Sequence, residues 1–184
     1  MEIKPTPIAG LVEIFSPPFQ DERGWFMEIY KQGAYSKICP NIKFVQDNLS
    51  FSRKGVIRGL HLQLSPFQQA KLVMVIKGSV LDVVVDLRKG SATFGQSYSC
   101  QLDDKRHNML LVPEGFAHGF SALEDSWFYY KCSSEYNPNH ETGICWNDPV
   151  LNIDWKSASP VLSAKDQHLP TLEELLIKSV ISPQ

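Results

Sequence analysis

A chain of 184 residues and 20.8 kDa, 43% hydrophobic and 21% charged, can bury a core without disulfides and is too ordinary in composition to be disordered or fibrous. Eighteen Lys and Arg against twenty Asp and Glu leave a net charge of −2; a general nucleic-acid binder carries a basic excess, so nucleic acid is not expected as a partner, and an anionic ligand needs positive charge focused in one cleft. The length predicts one domain over residues 1–184.

In chain order, the start Met1-Glu2-Ile3-Lys4-Pro5 has no apolar leader core, and the longest apolar runs, such as Leu72-Val73-Met74-Val75-Ile76, are strand-sized. A cytoplasmic protein with no membrane partner is expected. Candidate strands cover 11–15, 43–50, 55–63, 71–77, 79–87, 96–102, 108–112, 119–123 and 126–133. Lys77-Gly78-Ser79 reads as a tight hairpin between two of them. Many short strands at regular spacing predict an all-β sandwich or barrel. A short helix at about 171–179 closes the pattern: Thr171 caps it, Glu174 completes a capping box, and Leu172, Leu175 and Leu176 give it an apolar stripe for packing over one end of the sheet.

Alternation along strands sorts the side chains by face. Lys71, Val73 and Val75 share one face, as do Phe128, Tyr130 and Cys132, with Trp127, Tyr129 and Lys131 opposite. A Lys and a Tyr thus end otherwise apolar inner faces, the arrangement of a barrel with a small-ligand cavity; equally, Lys71 could snorkel from a strand end. Cys39, Cys100, Cys132 and Cys145 are far apart and form no CxxC, so they read as buried small hydrophobes.

Cupin-type metal barrels use a close HxH pair, and none of the five histidines belongs to one, so no metal is expected. His61, in Arg58-Gly59-Leu60-His61-Leu62-Gln63, is a base candidate because imidazole titrates near pH 6.5; it could also be a satisfied core histidine. Tyr130 is a candidate general acid, or a core aromatic with its hydroxyl at the edge. Nucleophile-elbow, phosphate-loop and dinucleotide fingerprints are missing from the sequence, which removes the common hydrolase, NTPase and dehydrogenase readings.

From about residue 10 to residue 175 a series of motifs falls in a fixed order: Asp21-Glu22-Arg23-Gly24-Trp25-Phe26-Met27-Glu28, Val45-Gln46-Asp47-Asn48, Gly55 to Gln63, Lys71-Leu72-Val73, Asp82 to Arg88, Pro113 to Phe120, Tyr130-Lys131-Cys132 with Tyr136, His140-Glu141-Thr142-Gly143, Ile153-Asp154-Trp155 and Leu162 to Asp166. This resembles the dTDP-4-dehydrorhamnose 3,5-epimerases. The resemblance implies a metal-free cupin-type jelly-roll β-barrel, usually a homodimer, that needs no cofactor. Such an enzyme converts dTDP-4-dehydro-6-deoxy-D-glucose to dTDP-4-dehydro-L-rhamnose by inverting C3 and C5, a step in making rhamnose for cell-surface polysaccharide.

The resemblance also implies roles. His61 is the base and Asp166 its partner, Tyr130 the acid on the opposite face, and Lys71 the cation beside the developing enolate. Arg23, Arg58 and His118 hold the diphosphate. Glu28, Gln46 and Asn48 contact thymidine, Phe26 and Tyr136 surround the base, and Glu141 and Lys165 contact the ligand further along. Arg23 and Phe26 are expected to reach the neighbouring subunit's site. Strict alternation puts Arg58 and His61 on opposite faces, so a bulge at Gly59 is expected if both meet the ligand. Departures from the family pattern are Met74 for an Arg, Leu62 for an aromatic, Glu135 for a bulkier residue beside Tyr136, and Lys156 for a Pro. A C3-only epimerase of another deoxysugar pathway, or a non-catalytic sugar-nucleotide-binding cupin, are the alternatives.

Overall fold

β-Branched and aromatic runs through the middle of the chain build two antiparallel sheets that face one another. The computed structural model describes residues 1–178, 180 and 181. In chain order its strands are β1 (Glu2–Pro5), β2 (Val12–Phe15), β3 (Phe19–Asp21), β4 (Gly24–Phe26), β5 (Gln46–Ser52), β6 (Ile57–Gln63), β7 (Lys71–Lys77), β8 (Ser79–Asp86), β9 (Ser97–Asp103), β10 (Asn108–Val112), β11 (Phe116–Ala122), β12 (Ser126–Cys132) and β13 (Glu141–Gly143), with short helices α1 (Gln32–Tyr35) and α2 (Leu172–Ile177). One sheet has the order β1-β2-β10-β7-β12-β5, the other β13-β6-β11-β8-β9, and β3 pairs only with β4. This is the expected all-β jelly-roll barrel.

The space between the sheets is filled by Val73 and Val75 of β7, Val80 and Val84 of β8, Phe116 and Phe120 of β11 and Phe128 of β12. Phe120 and Phe128 stack with centroids 4.3 Å apart. The alternate residues also pack, on the outer faces. Val83, Val85 and Ala117 meet Trp155, Leu172 and Leu175, while Leu72, Met74 and Met109 meet Tyr35 and Cys39. Covering both faces explains why these strands read as continuous apolar runs rather than a clean alternation.

Three expectations are corrected. Lys77-Gly78-Ser79 is not a hairpin, because β7 and β8 belong to different sheets. Gly78 is the corner where the chain crosses between them. The terminal helix keeps its capping box, with the Glu174 N–H donating to Thr171 Oγ1 and the Thr171 N–H donating to Glu174 Oε2, but it covers the outer face of the five-stranded sheet rather than its end. It ends at Ile177, and Ser179, placed in the helix by the sequence, lies outside the described residues. Finally, β11 begins at Phe116, three residues before the expected start. Gly119 reads as a strand boundary in sequence, yet it sits inside the ladder.

The bulge expected at Gly59 is present and decides the geometry of the site. His118 pairs with His61 and Phe120 with Arg58, so one residue of β11 spans two of β6. The extra residue returns Arg58 and His61 to the same inner face. Gly59 has φ +114°, and a Cβ there would lie 2.6 Å from the Gly119 Cα. Gly59→Ala therefore combines a left-handed backbone with a backbone clash, and its expected cost is about 3 kcal/mol. Urea unfolding of the variant checks this; an unchanged midpoint would show that the bulge tolerates a side chain.

Candidate active site

Two adjoining cavities of about 310 and 270 Å³ open between the sheets, and His61, Lys71, Tyr130, Tyr136 and Glu141 line both. His61 comes from β6 of one sheet, and Lys71 and Tyr130 from β7 and β12 of the other. The imidazole and the phenol therefore stand on opposing walls.

The His61 Nε2 lies 2.7 Å from Asp166 Oδ1, and the Gly59 N–H donates to Asp166 Oδ2 at 3.4 Å. Asp166 begins a 3-10 turn, Asp166–His168, and its side chain is buried. Burial alone would raise its carboxyl pKa; the hydrogen bond and charge of His61 outweigh that and hold it below the usual range. A carboxylate so bonded fixes the imidazole's tautomer and steadies the imidazolium when the other ring nitrogen takes a proton.

Tyr130 is half-buried, and burial, reinforced by Cys132, raises its phenol so that it stays protonated as a donor. Lys71 lines both cavities rather than snorkelling to solvent. Burial pushes its ammonium pKa down, while Cys132, Glu141 and Asp82 pull it back up. The carboxylates at the cavity are paired as His61–Asp166, His118–Asp82 and Lys165–Glu141, and Lys71 belongs to none of these pairs.

The remaining predicted residues divide into two groups. Gln46 and Asn48 line the cavity wall on β5, joined by the Gln46 Nε2 donating to Asn48 Oδ1 at 2.9 Å. Arg58 lines the second cavity, its Nε donating to Ser52 Oγ at 2.9 Å and its Nη2 to the Phe51 carbonyl at 3.1 Å. The Tyr136 hydroxyl donates to Glu141 Oε2 at 2.5 Å, and the Lys165 ammonium bonds the same oxygen. This ties the aromatic at the rim to the segment that carries Asp166. Burial would raise the Glu141 pKa, but the hydrogen bonds from Lys165 and Tyr136 hold it low.

Arg23, Phe26 and Glu28 are not brought to this cavity within the chain. Arg23 lies at the tip of the β3–β4 hairpin with its guanidinium on Asp21, Phe26 is exposed on β4, and Glu28 faces Lys31 at 3.7 Å.

Several wall residues escaped the sequence reading. Cys132 is buried as expected, and it also lines the cavity. Gln63 pins the rim loop, its Oε1 accepting from the Asn137 N–H and its Nε2 donating to the Phe67 carbonyl, both at 2.6 Å. Asp82 lies wholly buried under His118; a lone carboxylate inside Leu81-Asp82-Val83-Val84-Val85 was the signal for it.

Of the departures, only Leu62 lines the cavity. Met74 packs in the outer apolar layer and Glu135 is exposed. Lys156 has φ +55°, which a proline ring cannot adopt. Among the described residues, no group of three or more His, Cys, Asp or Glu is placed to hold a metal ion.

The family profile described as dTDP-4-dehydrorhamnose 3,5-epimerase matches residues 5–174. The dTDP-4-dehydrorhamnose 3,5-epimerase of Shigella flexneri is 48% identical over 158 residues, 84% of this chain and 87% of that protein. The structure of the Legionella pneumophila dTDP-6-deoxy-D-glucose-3,5-epimerase in complex with dTDP-4-keto-L-rhamnose superposes with a TM-score of 0.93 at 40% identity, covering 100% of this chain and 98% of that one. A 3'-monoepimerase from Streptomyces bikiniensis, in complex with dTDP-quinovose, superposes with a TM-score of 0.90 at 31% identity over 97% of this chain and 91% of that one. The chain belongs to the dTDP-4-dehydrorhamnose 3,5-epimerase family.

Proposed function

We propose that the chain converts dTDP-4-dehydro-6-deoxy-D-glucose to dTDP-4-dehydro-L-rhamnose, inverting C3 and C5. The observation that carries this is the placement of the His61–Asp166 pair and the protonated Tyr130 phenol on opposing walls of one cavity that Lys71 also lines. The C4 ketone acidifies the protons on both neighbouring carbons. His61 removes one, and the C–H electron pair moves to the C4 oxygen as an enolate, which the Lys71 ammonium stabilises. Tyr130 then returns a proton from the opposite face and is reprotonated from solvent, while the His61 imidazolium releases its proton to solvent and is ready to act at the second carbon. The substrate's own ketone is the electron sink, so the reaction calls for no cofactor.

In this reading Arg58 and His118 bind the diphosphate, Gln46 and Asn48 meet the thymidine, and Tyr136 stacks on the base. Glu141 and Lys165 complete the rim. Arg23, Phe26 and Glu28 act across a homodimer, in the partner's site. The exposed hairpin residues Phe19, Trp25 and Phe26, together with Leu49, Phe51 and Trp127 on the outer face of β5 and β12, support that assembly; isolated monomers rarely leave so much aromatic surface uncovered. We place the protein in the cytoplasm; among the described residues no helix is long and apolar enough to cross a membrane.

Inversion at C3 alone is the second reading, favoured by the close superposition with the monoepimerase. Incubation with dTDP-4-dehydro-6-deoxyglucose in deuterated water, followed by NMR, separates the two. Deuterium is expected at both C3 and C5; deuterium at C3 only supports the second reading, and none at either carbon overturns both.

A further inference from the structure

The cavity contains a second carboxylate–imidazole pair that the proton transfers leave unused. His118 of β11 stands directly across the ladder from His61, and its Nε2 lies 3.0 and 2.9 Å from the two oxygens of Asp82. Asp82 belongs to β8, where Val84 is the residue opposite His118. Two residues along the strand, Asp82 points to the same inner face. It is 0% exposed, while His118 reaches the cavity wall beside Lys71. Packing alone does not call for a carboxylate here. Its same-face neighbours on the strand are Val80 and Val84, and a buried carboxylate is costly unless its charge and hydrogen bonds are used.

We propose that Asp82 is a positioning residue for diphosphate binding: its carboxylate holds the His118 ring in one orientation, with the proton on Nε2, and is the buried counter-charge to the cations on that wall. This deepens the proposed function and rests on its reading of the cavity as the dTDP-sugar site. A ring already fixed by a buried partner does not have to be ordered when the ligand arrives, so more of the contact energy appears as affinity. Asp82 and Lys71 also act on each other, each favouring the other's charged form. Asp82 itself touches no part of the ligand and works through His118.

Two measurements test this. In imidazole nitrogen-15 NMR spectra of the ligand-free wild-type chain, the His118 Nε2 is expected to carry a proton; a bare Nε2 overturns the proposal. Calorimetry with dTDP is expected to show binding about tenfold weaker for Asp82→Asn and for His118→Gln, with the double variant no weaker than His118→Gln alone. Wild-type affinity in Asp82→Asn, or losses that multiply in the double variant, overturn it. If Asp82→Asn does not fold, the wild-type spectrum decides. If the wild-type chain binds no dTDP, the functional reading fails, and the same spectrum still judges Asp82.

Discussion

His61→Ala is expected to slow turnover of dTDP-4-dehydro-6-deoxyglucose by about 10³-fold and to remove deuterium incorporation at both C3 and C5, while dTDP still binds. Both effects follow from one imidazole. C3 and C5 flank the same ketone, so a base at the junction of the two cavities serves both carbons, and His61 is a junction residue whose Nε2 is held by Asp166. The nucleotide's expected partners, Arg58, His118, Gln46 and Asn48, stand on their own strands and bonds, so binding survives the loss of the ring. Isotope exchange by NMR and dTDP calorimetry on the same preparation check the two halves. Wild-type turnover in the variant would remove His61 from the base's role. Loss of dTDP binding would show that the ring also holds the ligand.

Much of the barrel was legible because its strands obey local rules. β7 and β10 fall on the expected residues, and the helix start is set by its own capping box. What stayed hidden has no local signature. The exposed strands β1, β3 and β4 bury nothing, so they show no apolar alternation. Whether Gly78 closes a hairpin or turns a corner depends on which sheet each flanking strand joins, a property of the whole topology.

The site shows the same division. Strand parity put Lys71 and Tyr130 on cavity-facing positions, and Gln46 and Asn48, known only from the resemblance, line the same cavity. It separated Arg58 from His61, and only the glycine between them hinted at the bulge that reunites them. The −2 net charge is reconciled with an anionic ligand locally. Arg58, Lys71 and His118 line one cavity, and buried carboxylates such as Asp82 and Asp166 balance the wall behind them.

Lys71→Met is expected to lower kcat by about 10² to 10³-fold, the typical effect of removing one preorganised charge from a developing oxyanion, with a much smaller change in KM. The same variant is expected to fold more stably than wild type by about 1 kcal/mol at neutral pH. The two effects have one cause. Burial is the largest influence on Lys71 and pushes its pKa below the ordinary lysine value of 10.5, so the folded chain holds its proton less tightly than the unfolded chain does. Between the lowered folded pKa and 10.5 the unfolded state binds more protons, and the Lys71 contribution to stability rises with pH. It is fully present above 10.5 and lost as pH falls through the folded pKa. At neutral pH the charged ammonium is therefore a burden on the fold, as expected of a group kept to stabilise the proposed enolate. Methionine fills similar space without the charge. Urea unfolding of wild type and Lys71→Met across alkaline pH should show the stability gap closing as pH rises. A gap that widens, or a variant less stable than wild type at neutral pH, would mean that Lys71 holds the barrel together rather than serving the reaction.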